Sequence, residues 1–338
     1  MGNRLLAGKL PTDLLAALLA RYASPSTGVV LGPRIGEDAA VLAMADRYLV
    51  VSTDPITYAT AEMGTYAVTV NANDVVTRGA RPRWFLMTLL LPEGKGEAEV
   101  EALFRQVDAA CRRIHVGLVG GHTEVTPGLD RPLLVGTMIG EVATDRLVVT
   151  SGAHVGDDLL LTKGIAVEGT VILAREREAW LTSRGYSNAF IQRAQGYLAD
   201  PGIGVATEAL MAVETARVSA MHDPTEGGLS GGLYELSGAA GVGLEVEGPQ
   251  IPIFEETRRL CQEFGLDPLG LIASGALLIT CRPGDTARLL GAIEGVGVAV
   301  RRIGRVVPHT RGVVLTDPGG ERPFPAFSRD EIVKIFAG

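Results

Sequence analysis

Helical and strand patterns follow one another irregularly through the second half of this 338-residue chain, and this mixture limits the possible folds. Segments with a 3.6-residue apolar period predict helices, and short apolar or β-branched runs predict strands. Because many of the strands are short and form hairpins, the pattern favours an α+β fold over a doubly wound sheet. The predicted helices lie near 169–179, 187–198, 203–215, 228–240, 255–264 and 285–293, and the predicted strands near 157–162, 217–221, 243–247, 275–281, 298–307 and 312–316.

The first half of the chain predicts fewer and longer elements. One helix runs to Gly79, a buried strand stops at Pro92, and an amphipathic helix follows, with Cys111 on its apolar face. Further strands are predicted near 117–120 and 132–142. A glycine-containing stretch around residue 150 then precedes a new strand, so we expect two domains, residues 1–150 and 151–338.

Charge and composition exclude several classes of partner. The net charge of −8 argues against a nucleic-acid partner, which usually requires a basic patch. No apolar run reaches the length of a membrane helix, so we expect no membrane partner. Cys111, Cys261 and Cys281 are too widely spaced for a disulfide framework or a zinc site. A reducing, cytoplasmic setting is therefore expected.

Two aspartates flank a predicted hairpin. With a three-residue loop at 45–47, Asp38 lies opposite Asp54, where side chains are about 5 Å apart at Cβ and two carboxylates repel each other. A bound cation reverses the sign of this interaction, and Mg²⁺ commonly uses one or two carboxylates with phosphate oxygens. The pair therefore predicts a Mg²⁺ site. The alternatives are two solvated strand ends, or a two-residue turn that shifts the register by one.

Three polar residues, Asn71, Asn73 and Asp74, stand late in an otherwise apolar helix. Asn and Asp compete with the helix for backbone hydrogen bonds, so three together predict a polar function. The alternative is a frayed last turn that Gly79 caps.

The stretch GGHTEV follows a predicted strand and is read as a turn. Gly120 and Gly121 would expose backbone N–H groups there, and Thr123 would add a hydroxyl, a combination that can hold a phosphate. A Gly-Gly turn is weak evidence by itself. His122 is a candidate metal ligand or base, although a lone loop histidine is more often neither.

Two further strand–helix junctions favour an anion. Lys163 stands between a predicted strand and the N-terminus of a predicted helix, where an anion is favoured. In DPTEGG, a strand ends at Asp223, and Thr225, Gly227 and Gly228 open a helix. The alternative for Asp223 is a helix cap.

Taken in order, several stretches resemble the AIR synthase-related, PurM-like superfamily. It contains aminoimidazole ribonucleotide synthetase, thiamine-monophosphate kinase, selenophosphate synthetase and the HypE-type hydrogenase maturation dehydratases. The stretches line up best with the HypE-type branch, over nearly the whole chain: GEDAAVL, STD, NANDVVTRGARP, GGHTEV and DPTEGGLSGGLYELSGAAGVGLEV. The resemblance implies an N-terminal domain that dimerises through its sheet, a C-terminal α+β domain, and ATP with Mg²⁺ as cofactors.

The resemblance also implies roles for individual residues. It places Asp38, Asp54 and Asp74 at the metal and phosphate positions, and it matches Asp223 to the acid of the C-terminal motif. We expect Asp223 and Lys163 to be the catalytic residues, with the ammonium group of Lys163 positioning the phosphate. The residues expected to contact the nucleotide are Asn71, Asn73, Gly120, Gly121, Thr123, Thr225, Gly227 and Gly228.

Some positions depart from the HypE-type pattern. Those enzymes carry their substrate on a cysteine in a C-terminal Pro-Arg-Ile-Cys tail, whereas no cysteine follows Cys281 here. A glutamate that precedes a glycine in those enzymes is replaced by Ser274. His122 replaces an acid in the Gly-Gly stretch, with Glu124 as a substitute oxygen ligand. We therefore expect a reaction other than the standard HypE dehydration.

These observations predict an ATP- and Mg²⁺-dependent enzyme that activates an oxygen atom of a small substrate by phosphoryl transfer. One alternative is a nucleotide-binding regulator or maturation scaffold without turnover, and another is a kinase similar to thiamine-monophosphate kinase. The acceptor is not identified by the sequence. A homodimer is expected from the resemblance.

Overall fold

The computed structural model describes Leu5 and residues 9–24, 26–56 and 61–336. In chain order its first elements are α1 Thr12–Tyr22, β1 Val29–Leu31, β2 Ala40–Met44, β3 Arg47–Ile56, α2 Met63–Val76, β4 Arg81–Leu91, α3 Glu97–Arg113, β5 Gly117–Val125 and β6 Leu133–Ala143. Its later elements are β7 Asp158–Thr162, α4 Val167–Glu176, α5 Glu178–Ser183, α6 Asn188–Gly196, α7 Ala206–Thr215, β8 Val218–His222, α8 Gly228–Ala240, β9 Gly243–Glu247, α9 Glu255–Phe264, β10 Leu278–Cys281, α10 Pro283–Gly295, β11 Val300–Val307, β12 Val313–Asp317, β13 Gly320–Pro323 and α11 Val333–Phe336.

The described chain divides into two compact units, each of which combines one sheet with helices. The N-terminal unit holds the described parts of 25–32 and 38–147, and the C-terminal unit holds those of 1–24, 33–37 and 148–338. The α+β class is thus confirmed. The described residues of 1–24 and 33–37 therefore cluster with the C-terminal unit, although the predicted division at residue 150 assigns them to the first domain.

The N-terminal sheet has the order β1-β2-β3-β6-β4-β5 among the described residues. Strands β4 and β5 are parallel, and the other neighbours are antiparallel. Burial alternates along β6, as expected when one face of a sheet is covered. The covering helix is α2, which packs on β3 and β6 and supports α3. Strand β5 is left at the edge of the sheet.

The predicted register of the acidic hairpin is wrong. Met44 pairs with Arg47, so the turn has two residues instead of three. The side chains of Asp38 and Asp54 are therefore not a facing pair, because a shift of one residue reverses the face on which each side chain lies. Ala45 has a φ of +48°, a conformation that Asn or Gly usually supplies in a two-residue turn.

The predicted turn at Gly120 and Gly121 is also wrong. Both glycines lie inside β5, which continues to Val125 and pairs with β4 on both sides of a register shift at Val119. Gly121 has a φ of +143°, and a Cβ there would lie 1.8 Å from the carbonyl oxygen of Met87. This close approach of two strands requires a glycine. The Gly-Gly pair is therefore explained by strand packing and not by a turn.

The C-terminal sheet has the order β13-β12-β9-β11-β7-β10-β8 among the described residues. Leucines from the sheet and from α8 form its fully buried core, including Leu159, Leu161, Leu229, Leu233 and Leu244. The predicted bounds of α8, β9 and α9 agree with the structure. Elsewhere, one predicted helix is divided into α4 and α5, and β13 was not predicted.

Within the described residues, none of the helices combines the length and the apolar character that a membrane crossing requires.

Candidate functional site

Helix α2 turns its polar residues inward. Asn71 and Asn73 are fully buried, and Asp74 is 4% exposed. The helix continues to Val76, beyond all three. The alternative of a frayed last turn is therefore wrong, and these polar groups need partners in the interior.

Two side-chain contacts tie α2 to β3. The backbone N–H of Asp54 donates to Oδ1 of Asn71 at 2.9 Å, and the amide nitrogen of Asn71 donates to the carbonyl oxygen of Ala67 at 2.9 Å. One turn later, the Ser52 hydroxyl donates to Oδ2 of Asp74. These bonds fix the position of β3 against α2, and the described bonds between Asp54 and Asn71 use only the backbone of Asp54.

The carboxylates of Asp54 and Asp74 lie on the same side of β3. Ser52 and Asp54 are two residues apart in the strand, so their side chains share a face, and Ser52 contacts Asp74. Asp54 is half-buried, whereas Asp38 is exposed ahead of β2. Two carboxylates on one face suit a hard cation such as Mg²⁺ when phosphate oxygens complete its shell. No group of three or more His, Cys, Asp or Glu side chains that could hold a metal occurs within the described residues.

Strand β5 presents the GGHTEV stretch on an exposed edge. All nine residues of the strand are exposed. Nε2 of His122 lies 3.0 Å from Oε2 of Glu124, and this contact lowers the pKa of the Glu124 carboxyl. A groove of about 230 Å³ runs beside the strand; it is lined by Met87, Phe104, Leu118, Gly120, Gly121, His122 and Thr123.

The predicted role of Lys163 in positioning phosphate is not supported by the structure. Its ammonium group lies 3.0 Å from Oε1 of Glu208 and donates to the carbonyl oxygens of Gly202 and Gly204. The Lys163 and Glu208 side chains are 4% and 1% exposed. Since an ammonium group has three N–H donors, this set of acceptors accounts for all of them. Lys163 is therefore a buried structural cation.

The N-terminus of α8 is also occupied by the protein itself. The backbone N–H of Gly227 donates to Oδ2 of Asp330 at 2.6 Å, and that of Gly228 donates to the carbonyl oxygen of Thr225 at 3.0 Å. Gly227 is the N-cap of α8, so the alternative of Asp223 as the helix cap is wrong. Asp223 is 2% exposed at the end of β8. The anion predicted at this turn is thus supplied by the carboxylate of Asp330.

Asp330 accepts three backbone hydrogen bonds in the interior. Besides Gly227, the N–H groups of Ile272 and Ile332 donate to its Oδ1 at 3.2 and 2.8 Å. Burial raises the pKa of Asp330 to about 6, although these three bonds oppose the shift. Sequence reasoning missed this residue, because the carboxylate meets Gly227 only through the fold, 103 residues away.

Glu168 is a second buried acid that sequence reasoning missed. It lies in the first turn of α4, is 6% exposed and accepts a hydrogen bond from the Ser274 hydroxyl. Its Oε2 has no hydrogen-bond partner among the described residues. Burial, together with the nearby charge of Asp330, raises its pKa to about 7. The available signal was a single glutamate in the apolar stretch GIAVEGTVIL.

The sequence matches the AIR synthase related protein family in both of its domains. The N-terminal domain of the family matches residues 36–142, and the C-terminal domain matches residues 154–317. Carbamoyl dehydratase HypE from Cupriavidus necator is 30% identical over 314 residues, which are 89% of this chain and 86% of that protein. A hydrogenase expression/formation protein from Methanocaldococcus jannaschii is 24% identical over 324 residues, 93% of each chain.

Solved structures of HypE proteins are also similar to this chain. The crystal structure of a hydrogenase maturation protein HypE in complex with ATP has a TM-score of 0.72 and 26% identity, covering 97% of this chain and 98% of that chain. HypE from Escherichia coli has a TM-score of 0.73 over 96% of this chain and 99% of that chain. Its identity is 23%, so this likeness concerns the fold alone.

Proposed function

The chain belongs to the AIR synthase related protein family, and on this premise we propose that it is an ATP- and Mg²⁺-dependent enzyme. The proposed reaction activates an oxygen atom of a small substrate by phosphoryl transfer from ATP. The proposal draws on the relative that is 26% identical and was crystallised in complex with ATP. It also draws on the arrangement of carboxylates in the N-terminal unit.

The observation that carries the proposal is the shared face of Asp54 and Asp74. Buried hydrogen bonds to β3 hold the side chains of Asn71 and Asp74 in place. The carboxylate of Asp54 is half-buried and lies outside the described bonds to Asn71, which use its backbone. An acid held in this way is preorganised as a ligand, because its strand cannot shift without breaking those bonds.

We assign the Mg²⁺ ligands to Asp54 and Asp74, and include Asp38 on the resemblance alone. When bound, Mg²⁺ neutralises phosphate charge that builds up during transfer. The residues of this chain hold the donor oxygens on one face and fix the distance between β3 and α2. Two carboxylates leave most of the six positions around Mg²⁺ to phosphate and water, so the ion is expected to bind together with the nucleotide.

Other residues contribute differently to the proposal. Gly120, Gly121 and Thr123 remain proposed nucleotide contacts, although they lie in the exposed strand β5 and not in a turn. Asp223 is retained through the resemblance, and its burial favours a role in orienting the turn before α8. Lys163 is excluded, since its ammonium group is already bound by protein acceptors.

The test is binding of ATP with Mg²⁺ to the Asp54→Ala variant, measured by calorimetry. We expect the affinity of the variant for ATP with Mg²⁺ to be at least tenfold lower than that of the wild type, about 1.4 kcal/mol. In EDTA, the variant and the wild type should bind ATP with the same affinity. The fold should persist, because the bond to Asn71 uses the backbone of residue 54. Asp145→Ala is the matched control, since Asp145 is an exposed acid in the same unit. Unchanged Mg²⁺-dependent affinity in Asp54→Ala would remove the assignment.

Turnover separates the enzyme from the regulator. Release of ADP is to be measured with carbamoyl, amide and phosphate-ester substrates. Carbamoyl substrates are included because the relative from Cupriavidus necator is a carbamoyl dehydratase. Sustained release with one class supports the proposed reaction. Tight binding of ATP without release in any class favours the regulator, and labelled phosphate on an alcohol or phosphate acceptor favours a small-molecule kinase.

We also propose a homodimer through the edge of β5. The strand is nine residues long, exposed and apolar at Leu118, Val119 and Val125, and it pairs only with β4 in the described sheet. Such an edge promotes pairing with another chain unless it is covered. Val119→Lys is expected to halve the mass measured by light scattering. A wild-type monomer, or a dimer unaffected by this change, would contradict the proposal.

A further inference from the structure

Ser52 places a buried hydroxyl beside the proposed metal ligands. It lies in β3, two residues before Asp54, and is 3% exposed. Its hydroxyl donates to Oδ2 of Asp74, which lies on α2 and is 4% exposed. One of the two carboxylate oxygens of Asp74 therefore accepts a hydrogen bond from within the N-terminal unit before any ligand arrives.

Close packing of α2 on the sheet keeps this hydrogen bond in place. Two glycines of β6 let the helix approach: a Cβ at Gly136 would lie 2.5 Å from Nδ2 of Asn71, and a Cβ at Gly140 would overlap a methyl carbon of Val75. Asn71 and Val75 stand on either side of Asp74 in the helix. The helix is therefore held against the sheet before and after this acid, which fixes its distance from β3.

The hydrogen bond limits how Asp74 can hold a cation. A carboxylate binds a cation through one of its oxygens or through both. Binding through both would bring the cation to Oδ2, where the proton of the Ser52 hydroxyl already lies. The hydroxyl would then lose its acceptor while it is buried, which costs free energy. Asp74 is therefore arranged to bind a cation through a single oxygen.

Mg²⁺ and Ca²⁺ place different demands on a carboxylate. Mg²⁺ requires near-ideal octahedral geometry at about 2.0–2.1 Å, and the two oxygens of one carboxylate lie too close together to fill neighbouring octahedral positions. Ca²⁺ takes roughly six to eight oxygens at longer distances and often uses both oxygens of one carboxylate. The hydrogen bond from Ser52 to Asp74 therefore removes an oxygen that Ca²⁺ can use and Mg²⁺ does not need.

We infer that Ser52 is a specificity-determining residue, whose hydrogen bond to Asp74 favours Mg²⁺ over Ca²⁺ at the proposed nucleotide site. The inference rests on the proposed function, since it takes Asp54 and Asp74 as the metal ligands. Ser52 acts through Asp74 and is a positioning residue. Its hydrogen bond also orients the acid for binding, as the outer hydrogen-bond partners of metal ligands commonly do.

Binding of ATP to the Ser52→Ala variant, measured by calorimetry in Mg²⁺, in Ca²⁺ and in EDTA, tests the inference. The Mg²⁺-dependent affinity should fall about tenfold, because the acid loses the partner that orients it. The Ca²⁺-dependent affinity should stay level or rise, because Ca²⁺ can then use both oxygens of Asp74. The readout is the ratio of the two affinities, which a general loss of structure would leave unchanged.

Two further variants complete the test, and circular dichroism checks that each is folded. Thr53→Val is the matched control, since it removes the hydroxyl of the next residue in β3, which lies on the opposite face and donates to the carbonyl oxygen of Gly136 at 2.8 Å. It should keep the wild-type ratio. Ser52→Cys replaces the hydroxyl by a weak thiol donor and should lower the ratio by less than Ser52→Ala. This variant keeps the test usable if Ser52→Ala folds poorly.

The outcomes separate this inference from the proposed function. If the wild type binds ATP equally well in Mg²⁺, in Ca²⁺ and in EDTA, the proposed metal site is wrong and the inference fails with it. If the wild type requires a divalent ion but the folded Ser52 variants keep the wild-type ratio, the inference alone is overturned and Ser52 is only a structural donor. A ratio that shifts as far in Thr53→Val as in Ser52→Ala would also overturn it.

Discussion

Replacing Lys163 by methionine tests whether its ammonium group is structural or binds phosphate. In the structure the group is bound by Glu208 and by the carbonyl oxygens of Gly202 and Gly204. The methionine side chain keeps most of the apolar stem and removes the charge. The carboxylate of Glu208, 1% exposed, would then be left in the interior, where the Thr162 hydroxyl donates to it at 3.4 Å.

The expected loss follows from this burial. Removing one member of a buried ion pair typically costs about 3–5 kcal/mol, because the remaining charge is neither hydrated nor compensated. The two carbonyl oxygens that lose their donor add to the cost. We therefore expect Lys163→Met to lower the free energy of unfolding by about 4 kcal/mol.

The double variant separates the charge from the packing. In Lys163→Met with Glu208→Leu, no buried charge remains, so the loss should shrink to about 1–2 kcal/mol, well below the sum of the two single losses. Unfolding in urea, followed by circular dichroism, measures all four proteins. Lys95→Met is the control, since the Lys95–Glu99 pair lies at the surface beside the start of α3 and its removal should leave stability nearly unchanged.

Two results would refute this reasoning. Lys163→Met with wild-type stability but weakened ATP binding would return Lys163 to the role of a phosphate ligand. A double variant no more stable than either single variant would show that the cost comes from packing and not from an uncompensated charge.

Two further predictions concern other parts of the fold. Gly121→Ala should lower the free energy of unfolding by about 3 kcal/mol in the same urea assay, because a Cβ would overlap the carbonyl of Met87 at positive φ. Gly117→Ala on the same strand, where the nearest atom to a Cβ is a side-chain carbon at 3.6 Å, should cost clearly less, and equal losses would contradict the argument. The three buried cysteine thiols should resist a disulfide reagent at pH 8 until the protein unfolds, since burial raises the pKa of Cys261 to about 12; one fast-reacting thiol in the native protein would contradict this.

Elements whose signal is local could be predicted from the sequence. The bounds of α8, β9 and α9 follow from apolar periodicity and from the glycines that end the two helices, Gly241 and Gly265. The interior role of Asn71 and Asp74 was also detectable, because polar residues in an apolar helix require partners. Their partners, Ser52 and the backbone of Asp54, could not be read from the sequence, since they depend on how β3 packs on α2.

Where prediction failed, a tertiary contact overruled a local rule. Ala45 adopts a positive φ in a two-residue turn, although alanine gives no local sign of it. Gly121 suggested a turn, yet its lack of a side chain serves the close approach to Met87. In both cases, strand pairing stabilises a backbone conformation that the residue alone would not select.

At the start of α8, the sequence motif predicted an anion but could not identify it. Backbone N–H groups at a helix N-terminus do require an acceptor, and that part of the prediction is sound. The motif cannot say whether the acceptor is a ligand or the protein, and here it is Asp330, 103 residues away. Lys163 repeats the pattern, because its three donors already have protein acceptors. At Asp54 the situation is reversed, since the described hydrogen bonds to Asn71 use the backbone and the half-buried carboxylate stands outside them. An external ligand is therefore expected at the carboxylates of the N-terminal unit and not at the start of α8, where Asp330 already accepts the backbone N–H of Gly227.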